Sequence, residues 1–346
     1  MNFASDNWAG ATPEVMAALA RHNDGFAAAY GGDDVTKTVK GLFSQTFDRE
    51  VEVFFTSTGT SSNALSMAAA ARPGGLILCS ADAHLRNDEY GASEFFTQGM
   101  KPVQVPSRFA KMTPEALTAT LAKYPEGNRT GRPVVLSLTN ATEAGTVYTP
   151  AEVAELAAIA HAAGMLVHMD GARFANAVAH LGMSPAEVTW RAGVDYMSFG
   201  GTKNGCWAAE AIVVFQPGRF PDLDIIKSRA GHTFSKARFV AAQYEAYLTD
   251  GLWLRTAGHA NMMAQALATG IATSGQGRLA WSSEANEVFP LLSSAGAARL
   301  RAAGAMFHPW GTDDVTPGAG EEMVRLVTSF ATRETEVARF IEVLRG

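Results

Sequence analysis

Two apolar runs of this chain end in residues able to do chemistry. One reads His168-Met169-Asp170-Gly171-Ala172-Arg173 and the other Ser198-Phe199-Gly200-Gly201-Thr202-Lys203-Asn204. A carboxylate at the C-terminal end of a buried strand stands where open α/β sheets place their ligands, although an isolated aspartate there serves equally well to cap a turn. Lys203 is harder to explain as structure: lysine is rarely buried without a partner, and the glycines before it let backbone approach a ligand closely. A third segment, Thr58-Gly59-Thr60-Ser61-Ser62-Asn63, joins an apolar run to an Ala-rich stretch. The free N–H groups of a helix N-terminus, with glycine and hydroxyl side chains, make an anion site; alone, such a turn is a weak sign. His84 follows the run at 76–79. A lone histidine is more often a polar surface or core residue, but at a strand end its flat ring could stack on a ligand. Its ordinary pKa of about 6.5 also suits proton transfer.

The combination is more specific than its parts. A lysine amine condenses with an aldehyde to a Schiff base, and pyridoxal 5′-phosphate (PLP) needs that lysine together with an acid facing its pyridine nitrogen. Lys203 and Asp170 suit these roles, and the turn at Thr58, Gly59 and Thr60 supplies a phosphate cradle. The set reads as a PLP-dependent enzyme of amino-acid metabolism.

The elements that must position these residues follow from hydrophobic patterning. Runs at 51–56, 76–79, 103–105, 134–138, 165–169, 196–199 and 211–215 are rich in Val, Ile and Phe and apolar on both parities, as strands buried on both faces of a parallel sheet are. Helical stretches at 61–71, 114–123, 150–163 and 185–192 alternate with them. Three of these begin with a hydroxyl residue before proline, at Thr113-Pro114, Thr149-Pro150 and Ser184-Pro185. The alternation predicts an α/β fold with a mostly parallel seven-stranded sheet. After Phe215 comes a basic, loop-rich segment at 217–236, then a long helical stretch at 237–273, then a small α+β unit closing with a helix at 334–344. A chain of 346 residues exceeds one core, so a large domain at 1–250 and a smaller one at 251–346 are expected.

The remaining composition narrows the function classes. The net charge of −6, with scattered Lys and Arg, offers no basic field for nucleic acid or an anionic membrane. No apolar run reaches the roughly 18 residues of a membrane helix, and the N-terminus carries no basic and apolar export signal. Cys79 and Cys206 are far apart and lack metal spacing, which reads as reduced core thiols of a cytoplasmic protein with no metal site.

Read in order, these segments resemble the low-specificity L-threonine aldolases of the β-eliminating lyase group, whose fold is PLP fold type I. The resemblance covers nearly the whole chain. It rests on Ser5-Asp6-Asn7, Tyr30-Gly31, Thr58-Gly59-Thr60, Ala83-His84, the stretch 168–173, Lys203 and Val324-Arg325-Leu326-Val327-Thr328. It implies that Lys203 is the Schiff-base lysine, Asp170 the partner of the pyridine nitrogen, Thr58, Gly59 and Thr60 the phosphate turn, and His84 the ring-stacking histidine. Arg173 is similar to an arginine near the cofactor hydroxyl and substrate carboxylate. Arg325 looks like the main carboxylate anchor, with Ser5 and Tyr30 also at the substrate; without the resemblance, an arginine in an apolar run reads as solvent-facing. Arg229 and Lys236 resemble basic residues that reach the phosphate from a neighbouring subunit, which implies a homodimer or homotetramer with active sites at its interface.

The implied reaction is retro-aldol cleavage of L-threonine, L-allo-threonine or a related L-3-hydroxy-α-amino acid such as phenylserine, giving glycine and an aldehyde. One departure from the resemblance is Glu143, in Ala141-Thr142-Glu143-Ala144-Gly145-Thr146, at a position where some relatives carry a histidine close to the substrate hydroxyl. Glu143 reads either as a participant in proton transfer, alongside His84, or as a solvated loop residue. Rival readings are an aminotransferase or a β-eliminating lyase on the same scaffold, and a catalytically silent PLP-fold binding subunit. A nucleotide-binding protein is disfavoured, since no Gly-x-Gly-x-x-Gly or Walker loop follows a strand.

Overall fold

A computed structural model describes all 346 residues. The seven apolar runs form one seven-stranded sheet, in the spatial order Glu52–Thr56, Glu210–Val214, Tyr196–Gly200, Leu166–Gly171, Arg132–Thr139, Gly75–Ser80 and Lys101–Val105. Glu210–Val214 runs antiparallel to both neighbours, and the other pairings are parallel. Every residue of Gly75–Ser80, Tyr196–Gly200 and Glu210–Val214 is buried, which explains why these strands lack alternation in sequence. The helices that cover the sheet start where the hydroxyl–proline pairs stand. Thr113, Thr149 and Ser184 accept the N–H groups of Ala116, Glu152 and Glu187, and each following proline takes the first helical turn.

The structure corrects three expectations. The stretch expected as one helix at 237–273 is two, Arg238–Leu248 and Leu252–Ala272. They are separated where Asp250 and Gly251 adopt φ of 51° and 66°. Asp-Gly tolerates the left-handed region, so the break had a signature that helical periodicity outweighed. The segment at 217–236 holds a helix, Leu223–Arg229. The stretch at 185–192 is only the short helix Pro185–Val188 followed by a 3-10 turn, Trp190–Ala192.

The C-terminal part has its own antiparallel sheet, in the order Gly277–Leu279, Pro290–Ser293, Glu321–Val327 and Glu287–Val288, with His308–Pro309 also paired to Glu321–Val327. Helices Ser294–Ala302 and Glu334–Arg345 pack against it. Its core, with Leu267, Ile271, Leu326 and Phe340, is separate from the larger core around the seven-stranded sheet. Helix Leu252–Ala272 joins the two, with Trp253 and Ala257 in the large core and Met263 and Leu267 in the small one. The N-terminal arm is tied to the small sheet, because Phe3 lies in that core and its carbonyl accepts the N–H of Val327. No helix is long and apolar enough to cross a membrane.

Candidate active site

The C-terminal ends of the parallel strands converge on one cavity, the place an open α/β sheet reserves for ligands. Leu166–Gly171 delivers Asp170, and Arg132–Thr139 leads into the loop bearing Glu143. His84 opens a short helix just beyond Gly75–Ser80, and Lys203 sits in a 3-10 turn beyond Tyr196–Gly200. These four line the cavity with Gly59, Thr60, Asn63, Glu89, Thr139 and Arg173. Thr58 does not line it; its hydroxyl is spent capping helix Gly59–Ala69 by accepting the Ser61 N–H at 3.1 Å. That helix nonetheless aims its first turn at the cavity, where the N–H groups of Gly59 and Thr60 have no intrahelical partner.

Glycine shapes the lysine turn. A side chain at Gly201 would begin 2.8 Å from the Ala209 carbonyl oxygen and 2.9 Å from the Cys206 sulfur. Gly205, which ends the turn, has φ of +112°, and a Cβ there would stand 2.5 Å from Thr12. The turn is thereby packed down on both sides while Lys203 is left half-exposed, its amine making no hydrogen bond within the chain. Behind it lies Glu210, whose carboxyl is pushed up to about 7 by burial, with the Lys203 charge pulling the other way.

Asp170 is held by two donors: the Asn63 amide at 2.7 Å to one oxygen and the Ala172 N–H at 3.0 Å to the other. The same Asn63 nitrogen donates at 2.9 Å to Glu89, and the oxygen that accepts it stands 2.8 Å from Nδ1 of His84. A continuous polar chain therefore runs Asp170–Asn63–Glu89–His84. The hydrogen bond to Glu89 raises the His84 pKa, with burial opposing and the Asp170 charge assisting. Burial raises Glu89 as well. Within this pair the short hydrogen bond decides for His84, so the ring holds its proton more tightly than a free imidazole would.

Glu143 is not a solvated loop residue. Its Oε1 accepts the backbone N–H of His84 and the hydroxyl of Thr139, each at 2.9 Å. Its Oε2 is enclosed and has no partner. Burial, helped by the nearby Asp170 charge, pushes the Glu143 carboxyl up to about 7.

Arg173 lines the cavity but is already engaged. Its Nε and Nη2 donate to the two oxygens of Asp6 at 2.8 and 3.1 Å, and its Nη1 stands 3.4 Å from Glu287. Burial alone would raise Asp6, but Arg173 and then Lys203 hold its pKa below the usual value. Asn286 adds a further donor to Asp6 at 3.0 Å. Arg325, on strand Glu321–Val327, is half-buried, with its guanidinium 4.9 Å over the Trp310 ring and its Nε buried without a partner. It does not face solvent freely, nor does it line the cavity of this chain.

Several residues expected at the site lie elsewhere. Ser5 caps a short 3-10 turn by accepting the Asn7 N–H at 3.1 Å. Tyr30, Arg229 and Lys236 are exposed and outside the cavity. Conversely, Glu89, Asn63, Asp6 and Glu287 are part of the polar arrangement and were not singled out from sequence. Asn63 and Asp6 stood inside the quoted motifs, whereas Glu89 and Glu287 carry no local signal.

The donor set fits PLP. The cavity presents one unpaired amine, a carboxylate at Asp170 fixed by two donors, a histidine and the start of a helix. Buried polar atoms without partners, Asn63 Oδ1 and Glu143 Oε2, remain beside it. Such orphaned atoms are rare in a filled interior, and a polar ligand would satisfy them. Free thiols and clustered metal ligands do not compete for this reading: Cys79 and Cys206 are buried, and no group of three or more His, Cys, Asp or Glu is placed to hold a metal ion.

Known proteins resemble this chain over its whole length. The family described as beta-eliminating lyase matches residues 2–295. A low specificity L-threonine aldolase of Pseudomonas aeruginosa is 41% identical over 352 residues, covering 99% of this chain and 98% of the relative. The threonine aldolase of Leishmania major has a solved structure that superposes with a TM-score of 0.92 at 28% identity, covering 99% of this chain and 98% of that one. A serine palmitoyltransferase variant from S. paucimobilis with bound PLP shares the fold alone, with a TM-score of 0.71 at 15% identity over 100% of this chain and 86% of that one. The matched span and the near-complete coverage by these relatives mean that the chain belongs to the beta-eliminating lyase family, within the group of the L-threonine aldolases.

Proposed function

We propose that this protein is a PLP-dependent lyase that cleaves L-threonine, L-allo-threonine and related L-3-hydroxy-α-amino acids to glycine and an aldehyde. The observation that carries this reading is the convergence of Lys203, Asp170, His84 and the helix start at Gly59 on one cavity. The chain in which they converge is 41% identical, end to end, to a low specificity L-threonine aldolase.

PLP, when bound, accepts the electron pair released as the Cα–Cβ bond breaks. The chain's own residues supply the rest. Lys203 would hold the cofactor through its amine. Asp170, fixed by Asn63 and the Ala172 N–H, would partner the pyridine nitrogen. Gly59 and Thr60 would offer N–H groups to the phosphate. His84, hydrogen-bonded to Glu89, would supply a flat ring to pack on the cofactor. Arg325, which stands with Arg173 near Glu287 without lining the cavity itself, would reach in to grip the substrate carboxylate, whose planar geometry suits a guanidinium.

A base must take the proton of the β-hydroxyl as the aldehyde leaves, and a proton must then reach Cα to give glycine. Glu143 is the favoured base. Its Oε2 has no donor, and a carboxyl pushed up to about 7 both accepts and returns a proton near neutral pH. His84, whose pKa is also raised, is the group best placed to keep a proton ready.

Further assignments belong to the same proposal. Residues 1–250 act as the cofactor domain and 251–346 as the smaller domain. The enzyme works in the cytoplasm as a homodimer or homotetramer. Arg229 and Lys236, exposed and away from the cavity of their own chain, would reach the phosphate of a neighbouring subunit.

The test is a spectrum of the purified protein followed by a coupled aldehyde assay with L-threonine, L-allo-threonine and phenylserine. A 2-oxo acid is supplied in parallel to detect amino-group transfer. Aldehyde and glycine in equal amounts are expected; amino transfer without aldehyde would replace this reading with an aminotransferase.

A further inference from the structure

We propose that Glu287 is a resident counter-charge of the carboxylate seat formed by Arg173 and Arg325, and that its charge limits how tightly the site holds an anionic amino acid. The inference rests on the aldolase reading above and assigns a specificity-determining residue within it.

Glu287 is fully buried, and neither of its carboxylate oxygens accepts a hydrogen bond. One of them stands 3.4 Å from Nη1 of Arg173. In the small sheet Glu287 lies opposite Val327. Arg325, two residues earlier on the same strand, therefore projects from the same face as its diagonal neighbour. The other side of the glutamate is closed by the loop carrying Glu143: a Cβ on Gly145 would stand 3.0 Å from the Glu287 carbonyl oxygen and 3.1 Å from its Cβ.

This carboxylate is not needed to complete the arginine. Asp6 already satisfies one edge of the Arg173 guanidinium with two charge-assisted hydrogen bonds. A second buried carboxylate that receives no hydrogen bond costs stability rather than adding to it. Burial raises the Glu287 pKa, while Arg173 and then Arg325 pull it back and Asp6 opposes them. The carboxylate thus stands 3.4 Å from one of the two arginines of the seat and on the same sheet face as the other. An incoming carboxylate meets the attraction of both arginines diminished by a fixed anion beside them. Neutralising that anion tightens binding.

The test is Glu287→Gln, which keeps shape and removes charge, assayed as the holoenzyme. KM for L-threonine is expected to fall by at least about threefold with kcat nearly unchanged, since one like charge within a few ångströms of the seat is a strong interaction in a buried site. The affinity for glycine, measured by calorimetry on the cofactor-loaded protein, should rise in parallel. A residue that merely braces Arg173 would do the opposite, raising KM and loosening glycine. An unchanged or raised KM in a folded, cofactor-loaded variant overturns the inference. If the glutamine variant does not fold, Glu287→Leu serves, with the same expected direction. Failure of both to fold also overturns it, because Glu287 would then be kept for stability. Wild-type protein that releases no aldehyde from L-threonine would instead sink the aldolase reading, so the two failures are distinguishable.

Discussion

The Nδ1 of His84 stands 2.8 Å from the Oε1 of Glu89, a carboxylate whose side chain is wholly buried while that of the histidine is 41% exposed. The glutamate lines the same cavity, and its Oε1 is shared between the histidine ring and the Asn63 amide. That contact holds one ring nitrogen of His84, and the histidine lines the cavity beside it. The pKa of His84 is thus raised by a neighbouring buried carboxylate.

Replacing Glu89 with Gln leaves an amide oxygen that can still accept from the ring but removes the carboxylate charge, and with it the charge-assisted hydrogen bond that favours the protonated ring. The wild-type hydrogen bond raises the His84 pKa, so its loss lowers that pKa, and the ring gives up its proton at a lower pH. The limb of the kcat/KM–pH profile that follows His84 should shift toward acid, with kcat reduced by about tenfold or more. A profile that keeps its position would remove Glu89 from the positioning role.

Glu143→Gln tests the base. The Glu143 carboxyl is pushed up to about 7, so it is protonated below that pH and ionised above it. A base works in the ionised form, so wild-type kcat/KM should rise with pH up to about 7 and then level. In the variant that rise should vanish, with activity lower by about 10²- to 10⁴-fold. The L-threonine to L-allo-threonine ratio should change as well. Wild-type activity and an unchanged ratio would show that Glu143 only supports the His84 backbone.

Arg325→Ala should raise KM for the amino acid by about ten- to a hundredfold, the equivalent of losing hydrogen bonds to a charged group worth about 1.5–3 kcal/mol. Steady-state kinetics with L-threonine check this, and cofactor absorbance should be retained. An unchanged KM would remove Arg325 from the anchor role and leave its buried, unpartnered Nε without a function.

Lys203→Ala removes the cavity's only lysine amine. The yellow absorbance of lysine-tethered cofactor should disappear, and aldehyde release should fall to background. A variant that still shows that absorbance would end the assignment.

Much of the fold was readable along the chain because its signals are local. Strands buried on both faces need apolar residues at every position, and the run at 196–199 has them. Helices such as Pro150–Ala162 announce themselves with a hydroxyl cap before proline. The break at Asp250-Gly251 was missed because apolar periodicity continues on both sides of it. Asp170, Lys203 and the Gly59 turn could be singled out for the same reason: each combines an unusual residue type with a strand end or helix start.

The pairing of charges, by contrast, arises from packing between distant parts of the chain. Asp6 meets Arg173 across 167 positions and Asn63 meets Asp170 across 107. Glu287 comes to Arg173 from a different sheet. No local pattern encodes such meetings, since a carboxylate's role depends on its burial and on which cation the fold brings to it. Glu143 shows this most plainly. Its sequence context suits a solvated loop equally well, and only the enclosure of its Oε2 beside Asp170 makes it a group that titrates near neutral pH. The sequence determined that a lysine and an aspartate would stand at strand ends in an α/β fold. The packing of the arm and the small domain against them decided which carboxylates are paired, which is left free, and so which of them can work.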